Sequence, residues 1–277
     1  MSTKGSEYAG VRIAGDRSPR AVGGNLGGGA HQAYLLSLGD DALVYAQRLG
    51  EWLTHAPQIE EDMALGNVGL DLLGQARSLL TRAGEIEGAG RDEDALAMFR
   101  DERDFRNVHL VEQERGDFGQ EMARMLWFSS YQVELYSRLV GSADETLAGI
   151  AQKAVKEVEY HRDHATQWVL RLGDGTEVSH ERMQAGLVAV HPYVRELGED
   201  HPAAEWAATQ GIGVLPSALA GPVNDYVTGV LARATLTMPD EPRWHARGGR
   251  EGIHSQPMGY LLAEMQHIAR SHPGATW

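Results

Sequence analysis

Two long stretches of this sequence, Met63–Ala83 and Glu145–Leu170, carry polar side chains at steps of three and four through an otherwise apolar pattern. Such steps return to one face of an α-helix and do not fit the twofold alternation of a strand. The first stripe is Asn67, Asp71, Gln75 and Ser78; the second is Glu157, His161, His164 and Trp168. Acids and histidines on facing helices are the means by which a helical bundle holds a pair of metal ions. The stripes therefore constrain the fold class and pose the functional question: whether the ligands suffice for metal, or only the architecture is present.

The rest of the chain keeps the helical pattern from His31 onward. A first helix is predicted over Gln32–Thr54, ended at Ala56-Pro57 because proline disfavours helix in the residue before it. A second starts near Ile59 and stops at Gly84, and Asp92–Glu112 reads as one kinked helix or two short ones. Asp117 is placed to cap a helix reaching about Val140, and Ser142 to cap the long helix to Leu172. Further helices are expected over Ser179–Leu197, Glu205–Gln210 and Pro216–Thr237, the last with a break allowed at Gly221-Pro222. Thr237–Gln256 reads as an extended loop, and Pro257 sits in the first turn of a final helix ending near Ser271. Residues 1–30, ending in a run of glycines, have too little apolar surface to order themselves and are expected to be a flexible extension.

No strand run and no short-period repeat is found. Two helix pairs, over 32–83 and 117–172, flank a smaller helical insert. That order predicts an all-α, ferritin-like four-helix bundle with a long crossover, a single domain over 31–277 with a core at about 32–172 and additional helices over 177–277. The missing repeat disfavours an α-solenoid; a two-domain helical protein is the remaining alternative.

Composition narrows the partners. With 277 residues the chain can bury a substantial core, and a formal charge of -14 argues against nucleic acid and against anionic membrane surfaces. No apolar run is long enough to span a bilayer, and the polar N-terminus lacks the apolar core of a signal peptide, so a cytoplasmic protein is expected. With no cysteine, any metal would have to be held by His, Asp or Glu.

A di-iron centre in a bundle takes a Glu from each of two helices and Glu-x-x-His from each of the other two. Here Asp71-Leu72-Leu73-Gly74 has an acid without its histidine, and Val158-Glu159-Tyr160-His161 a histidine without its acid. Glu157 and His161 share a face at a different step. In the segment 118–140, Glu121 and Glu134 do not stand at matching depth, and its middle is Trp127-Phe128-Ser129-Ser130. Neither motif is complete, which favours Asp71 and His161 as hydrogen-bonding partners or exposed side chains over metal ligands.

Other motifs add little chemistry. Gly248-Gly249-Arg250-Glu251-Gly252 follows no strand and reads as a turn rather than a phosphate cradle, and no Gly-x-Ser-x-Gly elbow supports a hydrolase. The remaining histidines are scattered without metal spacing. Trp206, Trp244 and Trp277 suit either an interface or the core. The charged runs Glu60-Glu61-Asp62 and Asp101–Arg106 read as solvated faces.

Ordered motifs along the chain carry a family resemblance. They include Leu38-Gly39-Asp40-Asp41-Ala42-Leu43, Gly69-Leu70-Asp71-Leu72-Leu73-Gly74-Gln75-Ala76-Arg77 and Arg100-Asp101-Glu102-Arg103. Lys156-Glu157 with Tyr160-His161, Gly252-Ile253-His254-Ser255 and the terminal Pro273-Gly274-Ala275-Thr276-Trp277 continue the set. Over about Ala33 to Trp277 the sequence resembles the C subunits of the ring-1,2-phenylacetyl-CoA epoxidases of aerobic phenylacetate degradation. The resemblance implies a ferritin-like structural subunit without a cofactor of its own. Its expected partners are a homologous catalytic A subunit that carries the di-iron centre, a small B subunit, and a reductase using NADPH. Together these convert phenylacetyl-CoA and molecular oxygen to the ring epoxide. It further implies that Asp71 and Gly74 stand where the active homologue has Glu and His, that Val158 and His161 occupy the second pair, and that Ser129 falls near another acid. Two alternatives stay open: a ferritin-like oxygenase or oxidase binding its own metals through Asp71, Glu157, His161 and His164, and a stand-alone helical homodimer with a binding role.

Overall fold

The computed structural model describes residues 26–275. Four long helices form its centre: α1 (Leu26–Gly50), α2 (Ile59–Glu87), α5 (Phe118–Leu139) and α6 (Glu145–Gly173). Two short helices, α3 (Glu93–Met98) and α4 (His109–Glu112), lie in the connection between the pairs. After α6 come α7 (Glu177–Val194), α8 (Pro202–Thr209), α9 (Ser217–Arg233), α10 (Gln256–Met265) and α11 (His267–Ser271). There is no strand among the described residues, and none of their helices is long and apolar enough to cross a membrane.

Side-chain contacts give the helix directions. Between α2 and α6, Arg82 meets Asp144, Gln75 meets Glu157 and Asp71 meets His161, so the two run antiparallel. Between α1 and α5, Trp52 packs on Phe118 while Tyr45 packs on Phe128, which again is antiparallel. Since α1 and α2 are themselves an antiparallel pair, α2 and α5 must run the same way. The connection over 88–117 then has to return the length of the bundle, and this crossover makes the fold ferritin-like.

Local chemistry accounts for several helix ends. The Asp117 carboxylate accepts from the Gln120 N–H at 2.9 Å and caps α5, as its position predicts. For α6 the cap is Asp144, which accepts from Thr146 and Leu147, and not Ser142. The Ser142 hydroxyl instead donates to the Ile212 carbonyl at 2.6 Å, tying the turn to the C-terminal helices. Gly84 does not stop α2; the helix continues to Glu87 and ends at Gly88, whose φ of 69° is the left-handed conformation that closes helices. At the other end of the pair, α1 starts at Leu26 and so takes in part of the glycine run expected to be flexible. Each residue added to an established helix gains a hydrogen bond, which lets the helix extend past a weak sequence. Residues 1–25 of the predicted extension lie outside the described residues. Pro222 does not interrupt α9, whereas the last predicted helix divides at Gln266 into α10 and α11.

The crossover and the C-terminal segment are fastened to α1 by buried ions. Asp40 is fully buried and pairs with both terminal nitrogens of Arg100, and it also accepts the Arg106 N–H at 2.8 Å. Asp41 accepts from Arg250 at 2.9 and 2.7 Å and from the Val108 N–H at 2.9 Å. Burial raises the Asp41 carboxyl to about 6 against the pull of Arg250. Burial disfavours the charged Arg250 as well, yet Asp41 holds it above its ordinary value. Around Arg250 the chain makes the predicted glycine turn, with Gly252 at φ 79°; a Cβ there would lie 2.2 Å from the Arg103 carbonyl oxygen.

Two further acids extend this network. Glu112 accepts from His254 Nδ1 at 2.7 Å and from the Ser255 N–H at 2.6 Å, while Glu196 accepts from the backbone N–H groups of His109 and Gly249. Breaking such a network on one side leaves an uncompensated buried charge. Asp41→Asn is therefore expected to lower unfolding stability by about 3–5 kcal/mol in urea titrations, and Asp41→Leu combined with Arg250→Met to recover most of that loss. Equal loss in the single and double variants would show that the pair does not act as a unit.

Candidate functional site

The α2–α6 interface brings the two polar stripes together. On α2 the side chains facing the bundle follow helical spacing through Leu65, Val68, Leu72, Gln75 and Leu79, all buried. Glu61 lies on the same stripe and is buried too, although it belongs to a charged run expected to be solvated. Its position, four residues before Leu65, was the signal that it faces inward. On α6 the buried positions include Ala151, Ala154, Val158, His161 and Ala165.

Polar side chains meet along this interface in three small groups spaced down the helices. Trp168 Nε1–H donates to Glu61 Oε2 at 2.7 Å, and His164 Nε2 lies 3.2 Å from the same oxygen without hydrogen-bond geometry. Further along, His161 Nε2 donates to Asp71 Oδ2 at 3.1 Å. Next, Gln75 Nε2 donates to Glu157 Oε2 at 3.0 Å; Gln132 of α5 reaches Gln75 Oε1 at 3.5 Å, and Lys153 sits 3.3 Å from Glu157. Asn67 and Ser78, the other members of the first stripe, are exposed.

The five positions that the resemblance marks as former ligand sites do not converge in the same way. Asp71 and His161 bond each other at the rim, the Asp71 side chain being 39% exposed and that of His161 2%. Gly74 lines a surface groove of about 320 Å³ beside Gln75, Lys153 and Glu157. Ser129 is buried and its hydroxyl donates to the Met125 carbonyl at 2.6 Å, within its own helix. Val158 is fully buried core. Of the two acids on α5, Glu121 accepts from the Tyr45 hydroxyl at 2.7 Å and lies 3.3 Å from Arg124, while Glu134 pairs with Arg138. Among the described residues, no group of three or more His, Asp and Glu side chains could hold a metal ion. The donors present thus do not fit a pair of iron ions, which needs about six converging ligands.

Burial lowers the pKa of both His161 and His164, against the pull of Asp71 on the first and of Glu61 on the second. A histidine depressed in the folded state binds its proton more readily when unfolded. Its contribution to stability is complete above the unfolded value near 6.5 and is lost as pH falls below it. His161→Gln keeps a donor for Asp71 but does not titrate. The stability of the native sequence relative to His161→Gln is expected to fall between about pH 7.5 and 5.5 in parallel urea titrations. A pH-independent difference would contradict a neutral buried His161.

Comparison with known proteins agrees with this architecture. The phenylacetic acid catabolic protein family matches residues 26–277. The C subunit of the 1,2-phenylacetyl-CoA epoxidase of Escherichia coli (strain K12) is 44% identical over 245 residues, an alignment spanning 88% of this chain and 98% of that protein. The family match extends through the bundle, the crossover and the C-terminal helices. The chain belongs to the phenylacetic acid catabolic protein family.

Proposed function

We propose that this chain is a non-catalytic structural subunit of a phenylacetyl-CoA 1,2-epoxidase. It pairs with a homologous A subunit that holds the di-iron centre, in a complex that also takes a small B subunit and draws electrons from an NADPH-dependent reductase. The observation that carries this reading is the similarity over nearly the full length of an epoxidase C subunit. The pairing at the α2–α6 interface supports the non-catalytic part. Asp71 and His161, Gln75 and Glu157, and Glu61 and Trp168 meet as partners across two helices, an arrangement that sets helix register and leaves no convergent ligand set.

In this role the bundle acts by presenting a large, rigid face to the A subunit, and the stability of the two becomes shared. Iron analysis of the purified chain and co-expression with the A subunit test the reading together. The chain alone is expected to retain only traces of iron, and to elute with the A subunit at micromolar concentration. Two irons per chain with an oxo-bridge absorption band would instead make this an oxygen-activating subunit in its own right. Separate elution of the two proteins would remove the scaffold role.

A further inference from the structure

Glu112 and Glu196 are both buried, yet among the described residues neither carboxylate bonds an arginine or lysine side chain. Asp40 and Asp41, by contrast, are each matched by an arginine. The cations available to Glu112 and Glu196 are two histidines, His254 and His109, whose rings lie 6.2 Å apart.

Hydrogen-bond geometry fixes the protons on the first of them. The His254 side chain is fully buried; its Nε2 lies 3.1 Å from the Phe105 carbonyl oxygen and its Nδ1 2.7 Å from Glu112 Oε2. A carbonyl oxygen only accepts, so Nε2 carries a hydrogen, and a neutral imidazole has no second one. Glu112 also accepts from the Ser255 N–H at 2.6 Å and from Asn107 Nδ2 at 2.9 Å, bonds that favour an ionised carboxylate. Nδ1 is then protonated as well, and His254 is an imidazolium.

His109 holds the other carboxylate. Its Nδ1 lies 3.1 and 3.0 Å from the two Glu196 oxygens, and its Nε2 4.0 Å from Glu112 Oε1. Burial opposes charge on this ring, but Glu196 and Glu112 hold it above its ordinary value. Burial also pushes the Glu196 carboxyl up, and His109 outweighs that to leave it below the usual range. The other charged neighbours are engaged elsewhere. Arg48 of α1 donates to the Glu112 carbonyl, Arg106 of the crossover to that of Phe105, Arg124 of α5 to that of Glu114, and Arg250 to Asp41. Burial raises the Tyr193 hydroxyl of α7, which adds no charge.

Acid and histidine thus alternate, Glu196–His109–Glu112–His254, and the C-terminal turn is attached to them at both ends. The Gly249 N–H donates to Glu196 at 2.8 Å, while His254 and the Ser255 N–H bond Glu112 just before α10. A Cβ on Gly249 would collide with the Asn107 carbonyl oxygen and lie 3.0 Å from Glu196 Oε1, so the turn sits directly on the cluster.

We infer that this quartet is a proton-operated latch that holds the C-terminal turn and α10 against the crossover. With both imidazoles protonated the four charges cancel. As the protons leave with rising pH, two buried carboxylates remain with only backbone and amide donors, and the turn and α10 are released while Arg250 stays on Asp41. The direction follows from His109: a group raised in the folded state contributes stability that is complete below the unfolded value near 6.5 and is lost as pH rises through the folded one. Arginine would hold these carboxylates at any pH at which the chain folds; histidine makes the attachment conditional.

Two measurements on the full chain test the latch. Nitrogen-15 spectra of the histidine rings at about pH 6 are expected to show both nitrogens protonated in His254 and in His109; an unprotonated ring nitrogen in either overturns the inference. Hydrogen exchange read by mass spectrometry, corrected for the intrinsic pH dependence of exchange, is then compared at about pH 6.5 and 9. Peptides over 249–265 are expected to lose protection at least tenfold at the higher pH, while those of α5 and α6 keep theirs. Unchanged protection over 249–265 sinks the latch. In Glu112→Gln the side-chain amide can donate to a neutral His254, so the loss between the two pH values is expected to shrink at least threefold. A loss as large as in the native chain would assign the pH response to other groups and reject the quartet.

Discussion

Two adjacent carboxylates on one helix organise most of what surrounds the bundle. Asp40 and Asp41 are both buried, and neighbouring helical positions point about 100° apart, so the pair reaches two different segments. Asp40 takes Arg100 and the Arg106 N–H at the crossover; Asp41 takes Arg250 from near the C-terminus and the Val108 N–H. Arg250 in turn donates to the carbonyls of Ser37 and Arg106. Removing any one charge would strand its partner in a low-dielectric interior. The crossover and the C-terminal turn are thus both held to α1, and the Arg250 bond to the Arg106 carbonyl joins them to each other. Glu112 and Glu196 repeat this logic, each drawing a histidine and a backbone N–H from distant segments.

The α2–α6 interface works by a different rule. Its polar residues form three small groups spaced along the helices, which fixes how the helices slide against each other. A metal centre requires the opposite arrangement, with acids and histidines from four helices converging at one depth. Glu121, the buried acid of α5, faces Tyr45 and Arg124. The interior thus holds enough polar side chains to resemble a catalytic core, arranged to stabilise helix packing.

The bundle, the crossover and the C-terminal helices all lie within the match to a family tied to phenylacetic acid catabolism. Under the proposed function, the internal networks keep the bundle rigid so that an outer face remains ready for a partner.

The helical class, the two long hairpins, the crossover order, the cap at Asp117 and the glycine turn around Arg250 are all legible in the order of residues. They follow from periodicity, capping and backbone chemistry, which act over a few residues. The same periodicity places Asp71 and His161 on facing stripes. Packing alone settles which polar residues are inside and what they meet. Glu61 sits in an acidic run yet is buried against Trp168, and Ser142 yields the helix cap to Asp144 because Ile212 offers its hydroxyl a carbonyl. The pairing of Asp40 and Asp41 with Arg100 and Arg250 joins residues 60 and 209 positions apart. No local pattern encodes such a partner, because the low dielectric that makes the pairing obligatory exists only once the chain has packed.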